Sequence, residues 1–88
     1  MYLHLGKSVI VPVDSVVGVF DLDSASASSR TRDYLARAEK EGRLISVGDD
    51  LPRSFVVCLE DGREVIYLSQ ISPKTLAGRA DVFDVEDE

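Results

Sequence analysis

Dense runs of β-branched and aromatic residues alternate with short polar breaks along this chain. Ser8–Val13 reads SVIVPV, Val16–Phe20 reads VVGVF and Phe55–Leu59 reads FVVCL. Runs of this length and composition, bounded by Gly, Pro or Asp, predict short strands. Tyr2–Leu5 predicts a first strand, Gly6-Lys7 a turn and Ser8–Val11 the returning strand. Pro12 has no N–H to give to a ladder, so it marks an edge, a bulge or a bend. Val16–Phe20 is the third strand, closed by Asp21-Leu22-Asp23. Leu44–Val47 is a short strand. Phe55–Leu59 and Val65–Leu68 pair as a hairpin through Asp61-Gly62, a dipeptide suited to a tight turn with positive φ. Val82–Val85 either adds a last strand or trails off.

The helical period occurs in one convincing place. Thr31, Tyr34, Leu35 and Ala38 fall on one stripe and predict a helix over 30–41. The small polar stretch Ser24–Ser29 is a loop feeding that helix, with Ser28 or Ser29 as N-cap. Gly42 is the expected stop. Gly48–Pro52 (GDDLP) reads as a flexible loop. Ser72 as N-cap and Pro73 at the first helical position open a shorter helix to about residue 79. The expected fold class is α+β: a small, mostly antiparallel β-sheet, one main helix (about 30–41) and a short C-terminal helix (about 73–79). Residues 1–80 form a single domain, and 81–88 an acidic tail.

Composition adds a surplus. Of 88 residues, 44% are apolar, yet a chain of this size buries only a little over ~60% of its unfolded surface. A small sheet covered on one face cannot hide so much, which predicts self-association. The net charge of -6 opposes nucleic-acid binding at long range. The charge is uneven, however: residues 81–88 hold five acids, leaving 11 acidic against 10 basic residues in 1–80. A local basic face therefore stays open. The tail reads as a solubilising end, a partner contact or a shield over a basic site.

Candidate catalytic chemistry is thin. Gly6-Lys7-Ser8 ends like a phosphate-binding loop, but the motif needs another Gly where Met1 stands, and a helix where Val9-Ile10-Val11 predicts strand. With one His (His4) and one Cys (Cys58) there is no basis for a zinc site. Cys58 lies in an apolar run and reads as a small buried hydrophobe; with no second Cys there is no internal disulfide, which suits a reducing cytosol. Asp49-Asp50 is a loop pair without a facing acid. We expect no enzyme, no cofactor and no small-molecule substrate. The start of the chain lacks the charged and apolar pattern of a signal peptide, and no run reaches the ~18 apolar residues of a membrane span, so a soluble cytoplasmic protein with no membrane partner is expected.

The basic residues say more. Seven of ten are Arg, the side chain whose planar fork suits phosphate. Arg30 and Arg32 lie at a helix start, where free N–H groups and the dipole favour anions. Arg53 follows the GDDLP loop. Two readings stay open: pairing with the many acids, or a phosphate-contacting patch.

A resemblance joins these pieces. Met1-Tyr2, His4-Leu5-Gly6, Val17-Gly18-Val19-Phe20-Asp21, Pro52-Arg53-Ser54-Phe55-Val56-Val57, Thr75-Leu76 and Arg79-Ala80 occur at matching spacing across essentially the whole chain. In these the sequence resembles the RemA/RemB family of small bacterial extracellular-matrix (biofilm) regulators, and looks closest to the RemB branch. The resemblance implies a compact α+β fold that self-associates into closed homo-oligomeric rings. For the RemA branch it also implies sequence-tolerant binding of double-stranded DNA that activates matrix genes. RemA-like members carry adjacent arginines in the loop before the strand that here begins at Ser54 or Phe55, and another Arg just before the strand that begins at Val16. This chain has Asp50-Leu51 and Ser15 there. Arg53 remains, as does Arg32, where the family often has a base. The resemblance leads to a ring-forming, DNA-binding regulator with Arg53, Arg32 and Arg30 as contacts. The alternative is a scaffold of the same fold that binds protein partners and has lost DNA contact.

Overall fold

A computed structural model describes residues 1–25 and 27–80; the expected strand at Val82–Val85 and the acidic tail lie outside the described residues. Strands β1 (Tyr2–Gly6) and β2 (Val9–Pro12) form an antiparallel hairpin. The turn itself is Lys7-Ser8, one residue later than expected. Lys7 adopts φ 51°, and the His4 ring Nε2–H donates to the Lys7 carbonyl at 2.6 Å, which holds this tight turn. Pro12 sits at the end of β2 and leads through a short 3-10 turn, Val13–Ser15, into β3 (Val16–Asp21).

Two helices follow. The one-turn α1 (Leu22–Ala25) occupies the stretch expected to be a strand end and a loop. Its cause is partly local: the Asp21 carboxylate accepts from the Asp23 N–H at 3.0 Å. It is also tertiary, because the Leu22 N–H donates to the Arg53 carbonyl at 3.0 Å. Helix α2 (Ser29–Lys40) begins at the expected cap, Ser28, whose hydroxyl accepts from the Thr31 N–H. It stops at Gly42, where φ is +76°.

Strand β4 (Leu44–Ser46), β5 (Ser54–Glu60) and β6 (Arg63–Ser69) complete a four-stranded sheet of order β3-β5-β6-β4. Asp61 (φ 52°) and Gly62 (φ 80°) make the expected hairpin turn. Antiparallel pairing dominates, but β4 is parallel to β6. Since β3 and β6 are both antiparallel to β5, β3 and β4 run the same way at opposite edges. Parallel strands need a crossover, and α1–α2 supplies it over one face of the sheet. Helix α3 (Pro73–Ala80) begins after the Ser72 cap, whose hydroxyl accepts from the Thr75 N–H at 3.2 Å.

The strands form two sheets rather than one, and this accounts for much of the apolar surplus. The hairpin β1–β2 and α3 cover one face of the large sheet, burying Leu3, Leu5, Val11 and Leu76 against Val56, Cys58 and Tyr67. Helices α1 and α2 cover the other, where Ala38 meets Phe55, Val57 and Ile66. Central strand β5 is thus buried continuously from Ser54 to Cys58, which explains its unbroken apolar run. Ser69 is fully buried and satisfied: its hydroxyl donates to the Leu5 carbonyl (2.6 Å) and accepts from the Ile71 N–H (3.1 Å). Cys58 is the small buried hydrophobe expected, and burial pushes its thiol pKa up. Cys58→Ala is expected to cost about 1 kcal/mol of packing with the mass in solution unchanged from the parent. A urea titration with light scattering checks both.

Candidate functional site

Two of the large apolar side chains that the cores leave uncovered lie on β3, an edge strand. Phe20 is 43% exposed and Val17 65% exposed. Phe20 stacks on Phe55 with ring centroids 5.0 Å apart and 22° between planes. Its ring also folds back over Gly18, where a Cβ would come within 2.7 Å of it and the ring would have to shift. Beside these rings runs an open groove of about 390 Å³. Val17, Phe20, Phe55 and Val57 supply its apolar floor, and Ala25, Arg30, Thr31 and Tyr34 its helical wall, with Glu64 also lining it.

The groove's polar groups are partly spent on each other. The Tyr34 hydroxyl donates to the Glu64 carboxylate at 2.5 Å. Burial, reinforced by Glu64, pushes the Tyr34 pKa up to about 12. Arg43 donates from Nη1 to the Glu64 carbonyl and pairs with Glu41 at 2.7 Å, so it is a structural arginine. Neither Tyr34, held neutral, nor the buried Cys58 thiol supplies an activated nucleophile. Among the described residues no three of His, Cys, Asp and Glu are grouped to hold a metal ion, and no helix is long and apolar enough to cross a membrane. The accessible chemistry of the groove is apolar contact plus one cation, Arg30.

The three expected arginines do not lie together on one element. Arg30 and Arg32 both belong to the first turn of α2, but residues two apart face away from each other on a helix. Arg30 lines the groove, and Arg32 is exposed on the helix surface. Arg53 sits at the end of the sheet, immediately before β5, with its side chain exposed. Its backbone is less free than loop composition implies: its N–H donates to the Ser69 carbonyl at 2.8 Å, and its carbonyl accepts from Leu22.

The preceding loop is held as well. With its amide oxygen turned toward the loop, Gln70 accepts from the Asp49 and Asp50 N–H groups at 3.0 and 2.7 Å. Gly48 lies against this amide, and a Cβ there would collide with it. The tip that this clamp presents is acidic and apolar: Asp49 and Asp50 are exposed and Leu51 is 88% exposed. Ser15 is turned inward enough to donate to the Pro12 carbonyl at 2.6 Å. Sequence reasoning missed the groove. Val17 and Phe20 carried the signal, as part of the apolar run VVGVF that a small sheet covered on one face cannot hide.

The fold and its surface define a small α+β protein that offers an apolar groove, separately placed arginines and a clamped loop. The family model described as RemA-like, extracellular matrix regulatory protein A-like, matches residues 2–80. The chain belongs to this regulatory family. No curated protein matches it.

Proposed function

We propose that the chain is a non-enzymatic, homo-oligomeric, ring-forming regulator of the RemA/RemB type, closest to the RemB branch. It acts in the cytoplasm, in transcriptional control of extracellular-matrix genes, by sequence-tolerant binding of double-stranded DNA. The observation that carries this reading is the family match over nearly the whole described chain. Exposed Val17, Phe20, Ile10 and Tyr2 support self-association, since they leave apolar surface on both the hairpin and the sheet edge. Arg53 supports the DNA contact. It is exposed on a backbone fixed by two hydrogen bonds, so little order is lost when it meets a phosphate. A ring repeats it once per subunit, turning one weak contact into an array.

The second reading is a scaffold that binds protein partners. It is favoured by the loop tip, where Asp49, Asp50 and exposed Leu51 repel phosphate and offer an apolar contact.

Gel-shift titrations at low and physiological salt, on material whose mass is fixed by light scattering, separate the two. Each neutralised phosphate steepens the fall of log K with log salt by about 0.9. Arg53→Ala is expected to abolish low-salt binding with oligomer mass and melting temperature nearly unchanged. Parent-like binding by this variant places the contact elsewhere, with Arg30 and Arg32 next. A parent that binds no DNA at low salt leaves the scaffold reading, and a monomer at every micromolar concentration removes the ring.

A further inference from the structure

The loop between β4 and β5 and the groove along β3 carry complementary groups at different places on the subunit. Among the described residues Leu51 is the most exposed of the large apolar side chains. Asp49 and Asp50 beside it are exposed, and among the described residues neither pairs with a cation. The groove offers the counterpart: an apolar floor containing Val17 and Phe20, with Arg30 in its helical wall. Among the described residues Arg30 makes no ion pair either.

Within one subunit the two do not meet. The loop leaves β4, at the opposite edge of the sheet from β3. Gln70, which directly follows β6, holds the Asp49 and Asp50 N–H groups. The tip is therefore anchored two strands from β3, roughly 10 Å away at about 4.8 Å per strand, and Leu51 does not line its own groove. Every copy of the chain carries both halves, so a second copy supplies the missing one. The Gln70 clamp also means that the tip has little order to lose on contact. A donor and an acceptor at different places give a head-to-tail contact, which closes into a ring when the rotation between copies permits.

We infer that the loop tip of one copy seats Leu51 in the groove of the next, over Val17 and Phe20, with Asp49 and Asp50 facing Arg30. Leu51 is the apolar anchor of this junction, and the charges set its register more than its strength. The inference rests on the self-association in the proposed function and names the two surfaces that meet; it does not depend on DNA binding.

Leu51→Asp spoils the tip and Val17→Asp spoils the groove, both at exposed positions. By light scattering on a size column, each full-length variant alone is expected to assemble at least about tenfold more weakly than the parent, as for the loss of an interface anchor. Where Val17→Asp lowers the melting temperature, Arg30→Glu replaces it as the groove variant; it sets like charges against each other, and an acid in the first turn of α2 does not harm the helix. An equimolar mixture of the tip and groove variants, at a concentration where each alone is monomeric, is expected to give the mass of two chains and no more. The groove of the one still accepts the tip of the other, while the second junction is spoiled on both sides. Single variants that assemble like the parent overturn the inference, as does a mixture that stays monomeric; both results leave self-association standing. A parent that is monomeric at every micromolar concentration overturns it together with the ring.

Discussion

Leu76→Ala is expected to lower the unfolding free energy by about 2–5 kcal/mol, the range for truncating a fully buried leucine where the surroundings collapse only partly. Leu76 is 0% exposed and is the residue by which α3 enters the core shared with Leu3, Leu5, Val11, Val56 and Tyr67. Helix α3 has two turns, and a helix so short holds its shape by tertiary packing rather than by propensity. Removing the side chain opens a cavity and loosens the helix together. At about 0.05–0.15 kcal/mol per residue, a chain of this size has roughly 4–13 kcal/mol in total, so at least about a sixth of the stability, and at the upper end most of it, is at stake. A urea titration checks this: the midpoint falls with little change in slope. The exposed neighbour Lys74→Ala is the control, expected within ~0.5 kcal/mol of the parent. A Leu76→Ala loss under 1 kcal/mol would show that α3 is not clamped through this residue.

The second large effect is alkaline. Burial, then the Glu64 contact, pushes Tyr34 up to about 12. Burial, then Glu60, also raises Tyr67, whose hydroxyl donates to that carboxylate at 2.5 Å. In the unfolded chain both phenols titrate near ~10. The folded state holds their protons longer, so their stabilisation is complete below pH ~10 and is lost as pH rises from there toward the folded values. Within that window each phenol removes up to about 1.4 kcal/mol per pH unit, or about 2.7 for the pair. Tyr34 is partly exposed and contributes less than this ceiling. The Cys58 thiol, also raised by burial, starts the decline slightly earlier. Circular dichroism against pH, with urea midpoints at each step, is expected to show a steep fall above pH ~10. Tyr67→Phe removes one of the two protons and is expected to flatten that fall to about half. An unchanged slope in this variant would remove Tyr67 from the account.

The candidate site was legible only in pieces. Arg30, Arg32 and Arg53 were visible as residue types suited to phosphate, but their directions were not. Arg30 faces the groove because α2 packs Ala38 on Phe55, Val57 and Ile66, and that rotation of the helix is a packing outcome. The GDDLP loop reads as free from its composition, yet Gln70, twenty residues later, holds it. The apolar run Phe55–Cys58 is covered within the chain on both faces, by the hairpin and α3 on one and by α1 and α2 on the other, and no local pattern shows that double cover.

The sequence alone determined the local events of this protein. Ser28 caps α2, Gly42 ends it, Pro73 opens α3 and Asp61-Gly62 turns the β5–β6 hairpin, because each depends on backbone preferences and hydrogen bonds within about four residues. Tertiary structure decided what depends on distant partners. Leu22–Ala25 becomes a helix where its first N–H finds the Arg53 carbonyl and its apolar side chains find the second core. Strand β4 runs parallel to β6 because α1–α2 carries the chain across the sheet before β4 can pair. Tyr34 meets Glu64 thirty residues away, and Val17 and Phe20 stay exposed because the crossover leaves the β3 edge open. Such contacts form only when several apolar faces are buried at once, and no short window of sequence contains the partners that decide them.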